Sequence, residues 1–235
     1  MKRLFTTLLP IGLSAAVAVA VIAPNVAYAF ASRSPQVVFN YTSLQNYLNG
    51  VGESINVATD QLDAQVWTTS VSGNATFTLM IEYAGNAASN NLGVYNANAG
   101  PSPTLFQVFP GAASPGWYAT AHFGGGNLSV ALFDNFGVYQ GSNSYSGVNA
   151  NGFGFYLQGP GGTFYSQDYR NGGGSPEILT YAGTGNNYGD WWECFEDLPY
   201  DASNSDFEDA VLLLQSVVPT PTHNQSWGGL KASYR

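Results

Sequence analysis

The strongest constraint on the fold is a two-residue alternation of apolar and polar side chains, which is clearest in "ATFTLMIEY" at Ala75–Tyr83. Phe77, Leu79, Ile81 and Tyr83 share one face, and the threonines, the methionine and the glutamate share the other. Because successive side chains of a strand point to opposite sides, this period predicts a half-buried β-strand. The segment "AQVWTTS" precedes it across a "VSGN" turn, so we expect the two to form a hairpin.

Short segments of the same kind recur along the chain, separated by turn-rich stretches such as "GNAASNN", "FGGGN" and "QGSNSYSG". Short strands with turns every 8 to 12 residues are typical of sandwiches and jelly rolls. We therefore predict an all-β fold, an antiparallel β-sandwich resembling a jelly roll. Its further strands are predicted at Leu92–Tyr95, Leu105–Phe109, Trp117–Phe123, Leu128–Phe133, Gly152–Gln158, Thr163–Ser166, Ile178–Tyr181 and Ala210–Val217.

One short helix precedes the strands. Leu44, Tyr47, Leu48 and Val51 follow the helical spacing i, i+3, i+4 and i+7, whereas the glycines at 50 and 52 weaken the second half of the pattern. We predict a helix at Ser43–Asn49 within an N-terminal segment, 30–61, that packs on the sandwich domain, 62–218. The tail 219–235 has lost the alternation and is expected to be flexible.

The first 29 residues read as a secretory signal peptide. Lys2 and Arg3 precede a short apolar run, and Ala27-Tyr28-Ala29 offers small residues at a cleavage site. The alternative is an uncleaved anchor. We expect a secreted or cell-surface protein, with no membrane association after cleavage.

The expected secreted chain is strongly acidic. Loss of Lys2 and Arg3 leaves four basic residues against fifteen acidic ones, a formal charge of −11. Nucleic acid and anionic membrane repel such a chain, whereas cations and neutral sugars remain possible partners. The only cysteine, Cys194, is interpreted as a buried small hydrophobe, with an intermolecular disulfide as the alternative.

Eight of the fifteen acids lie between Asp190 and Asp209, with no lysine or arginine among them. Unpaired carboxylates raise one another's pKa and cost stability, and Ca²⁺, which prefers oxygen ligands on loops, would remove that cost. The alternative is a solvated acidic loop. The spacing is not that of an EF-hand, because Asp206 stands where the loop glycine belongs. The candidate metal ligands are Glu196, Asp197, Asp201, Asp206, Glu208 and Asp209.

The same stretch resembles the closing motif of an uncharacterised family of secreted bacterial domains, many of which end in a PEP-CTERM sorting tail. "FEDLP" at 195–199, a short loop and "DFED" at 206–209 followed by "AVLLL" match that motif. The upstream segments "LGVYNANA", "TLFQVF" and "GFGFYLQGPGGTFYS" extend the resemblance over roughly 62–217.

The resemblance implies a β-sandwich and a calcium site. The residues it implies as ligands are Glu196, Asp197, Asp206 and Asp209, with Glu208 in a position that is usually asparagine. The sorting tail itself is not matched, because "VVPTPTHNQSWGGLKASYR" contains no spanning helix. A freely secreted or matrix-deposited protein fits this ending better.

Other site chemistries receive weaker support. A serine triad would need His122, which we interpret as a strand histidine, and no G-x-S-x-G elbow is present. A glycosidase would need two carboxylates across a cleft, from the acidic loop or from Glu82 with Asp134. Aromatic residues beside the acidic loop suggest instead a sugar-stacking platform, in which one of the adjacent tryptophans lies in the core and the other is partly exposed. The candidates for that platform are Tyr188, Trp191 and Trp192.

Taken together, these features predict a secreted structural or adhesive protein of the extracellular matrix or cell surface, stabilised by Ca²⁺ in the loop 196–209. It would act by self-assembly or by contact with extracellular polysaccharide. A carbohydrate-binding module that uses Trp191 or Trp192 is the alternative, and a glycoside hydrolase the third candidate. No catalytic residue is assigned.

Overall fold

Two antiparallel β-sheets face each other across an apolar interior. The computed structural model describes residues 31–220, so the predicted signal peptide and most of the predicted tail lie outside the described residues. Within them, one nine-residue helix, α1 Thr42–Gly50, precedes thirteen strands. The strands are β1 Val66–Thr69, β2 Asn74–Glu82, β3 Asn91–Asn96, β4 Leu105–Phe109, β5 Tyr118–Gly124, β6 Asn127–Phe133, β7 Tyr139–Ser146, β8 Phe153–Gly159, β9 Gly162–Tyr165, β10 Ile178–Ala182, β11 Trp191–Phe195, β12 Ala210–Gln215 and β13 Val217–Thr220.

The smaller sheet has the strand order β13-β1-β8-β3-β4, with β9 also paired to β8. The larger sheet has the order β10-β11-β12-β2-β5-β6-β7. The predicted all-β sandwich with one short helix is confirmed. No described helix is long and apolar enough to cross a membrane.

Aromatic side chains fill the space between the sheets. Trp67 of β1, Phe77 of β2 and Phe155 of β8 are buried and meet edge to face, with ring centroids 5.5–5.6 Å apart. Trp191 joins them, 5.8 Å from the ring of Trp67. Edge-to-face pairs of this kind add stability beyond the apolar area that they bury. The interior therefore holds the two sheets in a fixed relation.

A second apolar layer lies on the outer face of the larger sheet. Leu44 and Leu48 of α1 pack there, together with apolar residues of the chain on either side of the helix. The sheet side of this layer is formed by β10, β11, β12 and one residue of β2, through Leu179, Tyr181, Trp192, Cys194, Val211, Leu213 and Ile81. Strands β11 and β12 are consequently buried on both faces. This explains why "AVLLL" is continuously apolar instead of alternating.

The predicted hairpin of "AQVWTTS" with β2 is wrong. Strand β1 pairs with β13 and β8 in the smaller sheet, whereas β2 pairs with β12 and β5 in the larger one. The turn between them therefore crosses from one sheet to the other. At Gly73, where φ is +69°, an added Cβ would lie 2.3 Å from the carbonyl oxygen of Phe123, so the crossing requires glycine. Alternation predicts a strand's buried face but not its partner.

The C-terminal boundary also differs from the prediction. Residues 210–217, predicted as one strand, divide at Ser216, whose φ of +61° redirects the chain from the larger sheet to the smaller. Val217–Thr220 then pairs with β1 as an edge strand, a position in which Pro219 is tolerated. The sandwich thus continues to Thr220. The rest of the tail predicted to be flexible lies outside the described residues.

We expect Leu48→Ala to lower the free energy of unfolding by about 2–5 kcal/mol, because it leaves a cavity beneath α1. Val51→Ala is the matched control, since Val51 directly follows the helix and is exposed. That change should shift the free energy by less than about 0.5 kcal/mol. Urea unfolding of both variants provides the measurement, and equal effects would mean that α1 does not pack on the sheet.

Candidate functional site

The acidic loop connects two paired strands at one end of the larger sheet. Phe195 at the end of β11 is paired with Ala210 at the start of β12, so residues 196–209 leave and re-enter the sheet at adjacent points. A turn at Pro199, whose carbonyl accepts hydrogen bonds from the amides of Ala202 and Ser203, folds the loop back. Ser205 and Phe207 both have φ of +54°. The loop is thus a shaped segment with two residues in a strained backbone region.

Glu196 and Asp206 lie on the outer side of this end. The amide of Phe207 donates to Oε1 of Glu196 at 2.6 Å, and Phe207 is buried in the layer beneath α1. The amide of Asn40 donates to the carbonyl of Ser205 at 2.7 Å, which ties the loop to the N-terminal segment. Burial, with the nearby charge of Asp206 as a lesser cause, raises the pKa of Glu196 to about 7. This carboxyl group fixes the position of Phe207 in the loop, and it keeps its proton to a higher pH than an exposed glutamate does.

Asp197 and Asp209 form a second pair at this end of the sheet. The amide of Asp197 donates to Oδ2 of Asp209 at 2.8 Å. Oδ2 of Asp197 accepts hydrogen bonds from the side-chain amides of Asn86 and Asn90, each at 3.1 Å. Burial, together with the charges of Asp197 and Glu196, raises the pKa of Asp209. Two side-chain amides therefore hold Asp197, and the raised pKa of Asp209 favours its protonated form.

A β-bulge brings Glu82 to the same place. Val211 pairs with Ile81 and Leu212 pairs with Leu79, which leaves Met80 as an extra residue in β2. The bulge reverses the alternation that the sequence predicts, because Leu79 faces the interior whereas Ile81 packs in the outer layer. Glu82, paired with Ala210, consequently lies beside Asp197 and Asp209. Burial, and then the charges of those two aspartates, raises the pKa of Glu82 to about 8.

The six predicted metal ligands do not form one site. Successive residues at a strand end point to opposite faces, so Glu196 and Asp197 diverge. Asp201 is exposed, and Glu208 is only partly buried at the margin of the outer group. Among residues 31–220, no group of three or more histidine, cysteine, aspartate or glutamate side chains is arranged to hold a metal ion. The side chains present do not form a ready-made calcium site, and calcium binding stays a prediction.

The predicted sugar platform is wrong. Trp191 lies in the interior between the sheets, and Trp192 lies in the layer under α1, where its Nε1 donates to Oε1 of Glu53 at 3.1 Å. Neither is partly exposed, because the sheet is covered on both sides at this point. Tyr188 is 76 % exposed, but the two tryptophans are buried and cannot form a platform with it.

The remaining candidates have ordinary structural environments. Cys194 is buried beneath α1, as predicted. His122 lies on the exposed side of β5, with Nδ1 2.8 Å from Oδ1 of Asn74, which agrees with a strand histidine. The carboxylate of Asp134 accepts hydrogen bonds from the amides of Phe136 and Val138 and from the side chain of Gln140, so it stabilises its own turn. A hydrolase stays the third candidate.

Sequence reasoning missed two features of the larger sheet. Strand β7 falls in "QGSNSYSG", whose glycines, serines and asparagine predict a loop. Within residues 31–220, the outer faces of β5, β6, β7 and the first half of β2 are also left uncovered by the N-terminal segment. A signal was present in "WYATAHF" and "NLSVALF", where small polar residues recur at the outward positions.

Comparison with protein-family models, curated proteins and solved structures finds no match, so the family resemblance stays a prediction.

The buried carboxyls predict a protein that is more stable in mild acid than in mild base. A group whose pKa is raised by folding contributes stability below its unfolded value, and this is lost as the pH rises through the folded value. For Glu82 and Glu196 the loss runs from about pH 4.5 to pH 8. We expect the melting temperature to fall by roughly 5 °C from pH 5 to pH 8.5.

Glu82→Gln should reduce that fall, because the amide needs no proton to be neutral. Asp201→Asn is the matched control and should retain most of the fall, since Asp201 is exposed. A flat wild-type profile would contradict the raised pKa values of Glu82 and Glu196.

Repeating the pH 8.5 melts with millimolar Ca²⁺ tests the metal prediction. A rise in melting temperature that is specific to calcium, and that is lost when Asp197→Asn and Asp209→Asn are combined, would support it.

Proposed function

We propose that this chain is a secreted structural or adhesive protein that self-associates through the uncovered edge strand β7. The single observation that carries the proposal is the composition of this edge. Strand β7 is the outermost strand of the larger sheet, and its eight residues, "YQGSNSYS", contain no charge and no proline. Six of the eight are exposed.

Natural sheets protect their edges because unpaired backbone amides and carbonyls bind other strands. Lysines, prolines and covering segments are the usual means of protection. The opposite edge of this sheet is covered, since Leu62 bridges Thr180 of β10 and Ser32 bridges Leu62. At β7 the register shift lies between Leu132 and Phe133, near the start of the strand, and pairing from Gly141 to Ser146 is regular. The regular part supports strand addition.

The turn that leads into β7 adds apolar contact area. Phe136 is 84 % exposed, and Val138 and Tyr139 are each 56 % exposed. The carboxylate of Asp134 accepts hydrogen bonds from the amides of Phe136 and Val138, which fixes the backbone of this turn. Exposed apolar side chains that are grouped and held are typical of interaction surfaces. They offer a partner side-chain contacts beside the backbone edge.

The occupant that we propose is a second copy of the chain. Two β7 strands related by a two-fold axis would pair antiparallel and join two seven-stranded sheets into one. A neutral edge permits this contact between two acidic molecules, because no like charges meet on the paired strand. Such pairing would give a protein of the extracellular matrix cohesion without any added ligand.

Analytical ultracentrifugation of the purified protein over a concentration series tests this function. We expect a reversible dimer in the wild type and at least tenfold weaker association in Asn143→Lys, because each copy would bring a positive charge to the strand through which the two copies pair. Val71→Lys is the matched control: it makes the same charge change at an exposed loop residue distant from β7 and should associate like the wild type. A wild type that stays monomeric, or equal weakening in both variants, would refute the proposal.

A further inference from the structure

The uncovered half of the larger sheet carries an ordered array of small polar side chains. One row crosses four strands through Asn74, His122, Ser129 and Ser144, which are paired in register. The neighbouring row consists of Thr76, Thr120, Ala131 and Ser142, also in register. Since strands lie about 4.8 Å apart, each row spans roughly 14 Å. The two rows line an open groove of about 520 Å³ together with Ser216.

The chemistry of this groove is neutral and hydroxyl-rich. A serine or threonine hydroxyl both donates and accepts hydrogen bonds, as a sugar hydroxyl does. None of the residues that line the groove is a lysine, arginine, aspartate or glutamate. The imidazole of His122 is the one ionisable group there, and it is already hydrogen-bonded to Asn74. The surface offers many two-way hydrogen-bonding groups and no fixed charge.

Aromatic rings stand at the next position along the same strands. Tyr118 and Phe133 stack with centroids 5.1 Å apart and an interplanar angle of 14°. Tyr139 meets Phe133 edge to face at 5.9 Å, and its hydroxyl donates to Ser142 at 2.9 Å. An aromatic ring offers an apolar face and, in tyrosine, a polar end. The row thus bounds the hydroxyl array with surface suited to the apolar faces of sugar rings.

We propose that this face binds a neutral polysaccharide, with the hydroxyl rows contacting the sugar hydroxyls and Tyr139 contacting a ring face. The site is distinct from the predicted platform of Tyr188, Trp191 and Trp192. It does not rest on self-association through β7. The neighbouring β-strands fix the backbone, and the small side chains have few rotamers to lose, so binding costs little ordering.

Charge decides between this ligand and the other candidates. An anionic polysaccharide or a nucleic acid would find no basic residue in the groove and would be repelled by a chain of formal charge −9. A protein partner gains most from buried aromatic and arginine anchors, which the hydroxyl rows do not provide. A neutral polysaccharide gains hydrogen bonds here without meeting like charge.

Native affinity electrophoresis tests the proposal, because an acidic protein migrates freely unless a polysaccharide in the gel retards it. The probes are dextran, galactomannan and xyloglucan, with alginate as the anionic comparison. The unmodified protein is run at two loads, one above and one below the concentration at which it associates, so that self-association and sugar binding are read separately. We expect retardation by at least one neutral polysaccharide and none by alginate.

Two variants locate the site. Thr120→Val with Ser129→Ala removes hydroxyls from both rows, and Tyr139→Ala removes the exposed ring; each should weaken retardation at least tenfold. Thr163→Val on β9 of the smaller sheet is the matched control and should bind as the unmodified face does. Melting curves confirm that the variants are folded. No retardation by any neutral probe, retardation by alginate alone, or equal retardation of all variants would overturn the proposal.

Discussion

The structure depends on the burial of β11 and β12 from both sides. One face of these strands contributes Trp191, Phe195 and Leu212 to the interior between the sheets, and the other contributes Trp192, Cys194 and Val211 to the layer under α1. Burial of a large apolar side chain contributes about 1.5–3 kcal/mol, so two buried faces make these adjacent strands the most heavily stabilised part of the sheet. The acidic loop can therefore contain positive-φ residues and buried carboxyls, because its two ends are fixed.

Only one half of the larger sheet is covered by the N-terminal segment. The covered half stabilises the fold, and the other half is left for contact with other molecules. The N-terminal segment covers β10 to β12, and beyond β2 the outer face of the sheet carries small polar side chains, His122 and a row of aromatic rings, with no carboxylate, lysine or arginine among them. The edge and the face of this second half are both neutral, although the chain is acidic. Several of the acidic residues lie instead in the loop 196–209. The surfaces proposed for self-association and for polysaccharide are thus available to neutral partners.

The local pattern of apolar residues was sufficient to predict most strands and the helix. It did not predict which strands pair or how deeply each strand is buried. The segments around β4 and β6 were identified from the sequence almost to the residue, because their turns are rich in glycine and proline. Trp191 and Trp192 lie on opposite faces of the sheet, as predicted. Neither is exposed, however, because a further layer covers the outer face of the sheet. Long-range packing, which the period of a strand does not encode, supplied that layer.

The acidic loop shows the same limit for the candidate site. Eight acids lie within twenty residues of the sequence. The side chains of Glu196 and Asp197 nevertheless point to opposite faces, because successive residues of a strand alternate. Glu82, more than a hundred residues earlier, joins Asp197 and Asp209 only because a single extra residue in β2 reverses its direction. A bulge of this kind has no signature in "ATFTLMIEY", so this cluster was not predictable from the sequence alone.

The position of Cys194 gives the molecule a natural reporter. It is the only cysteine of the chain and lies between the sheet and the N-terminal layer, out of reach of solvent. A thiol reagent can reach it only when that layer lifts or the sheet opens. The labelling rate of the unmodified protein therefore measures the opening of one layer, separately from global unfolding, in the way that hydrogen exchange measures local opening.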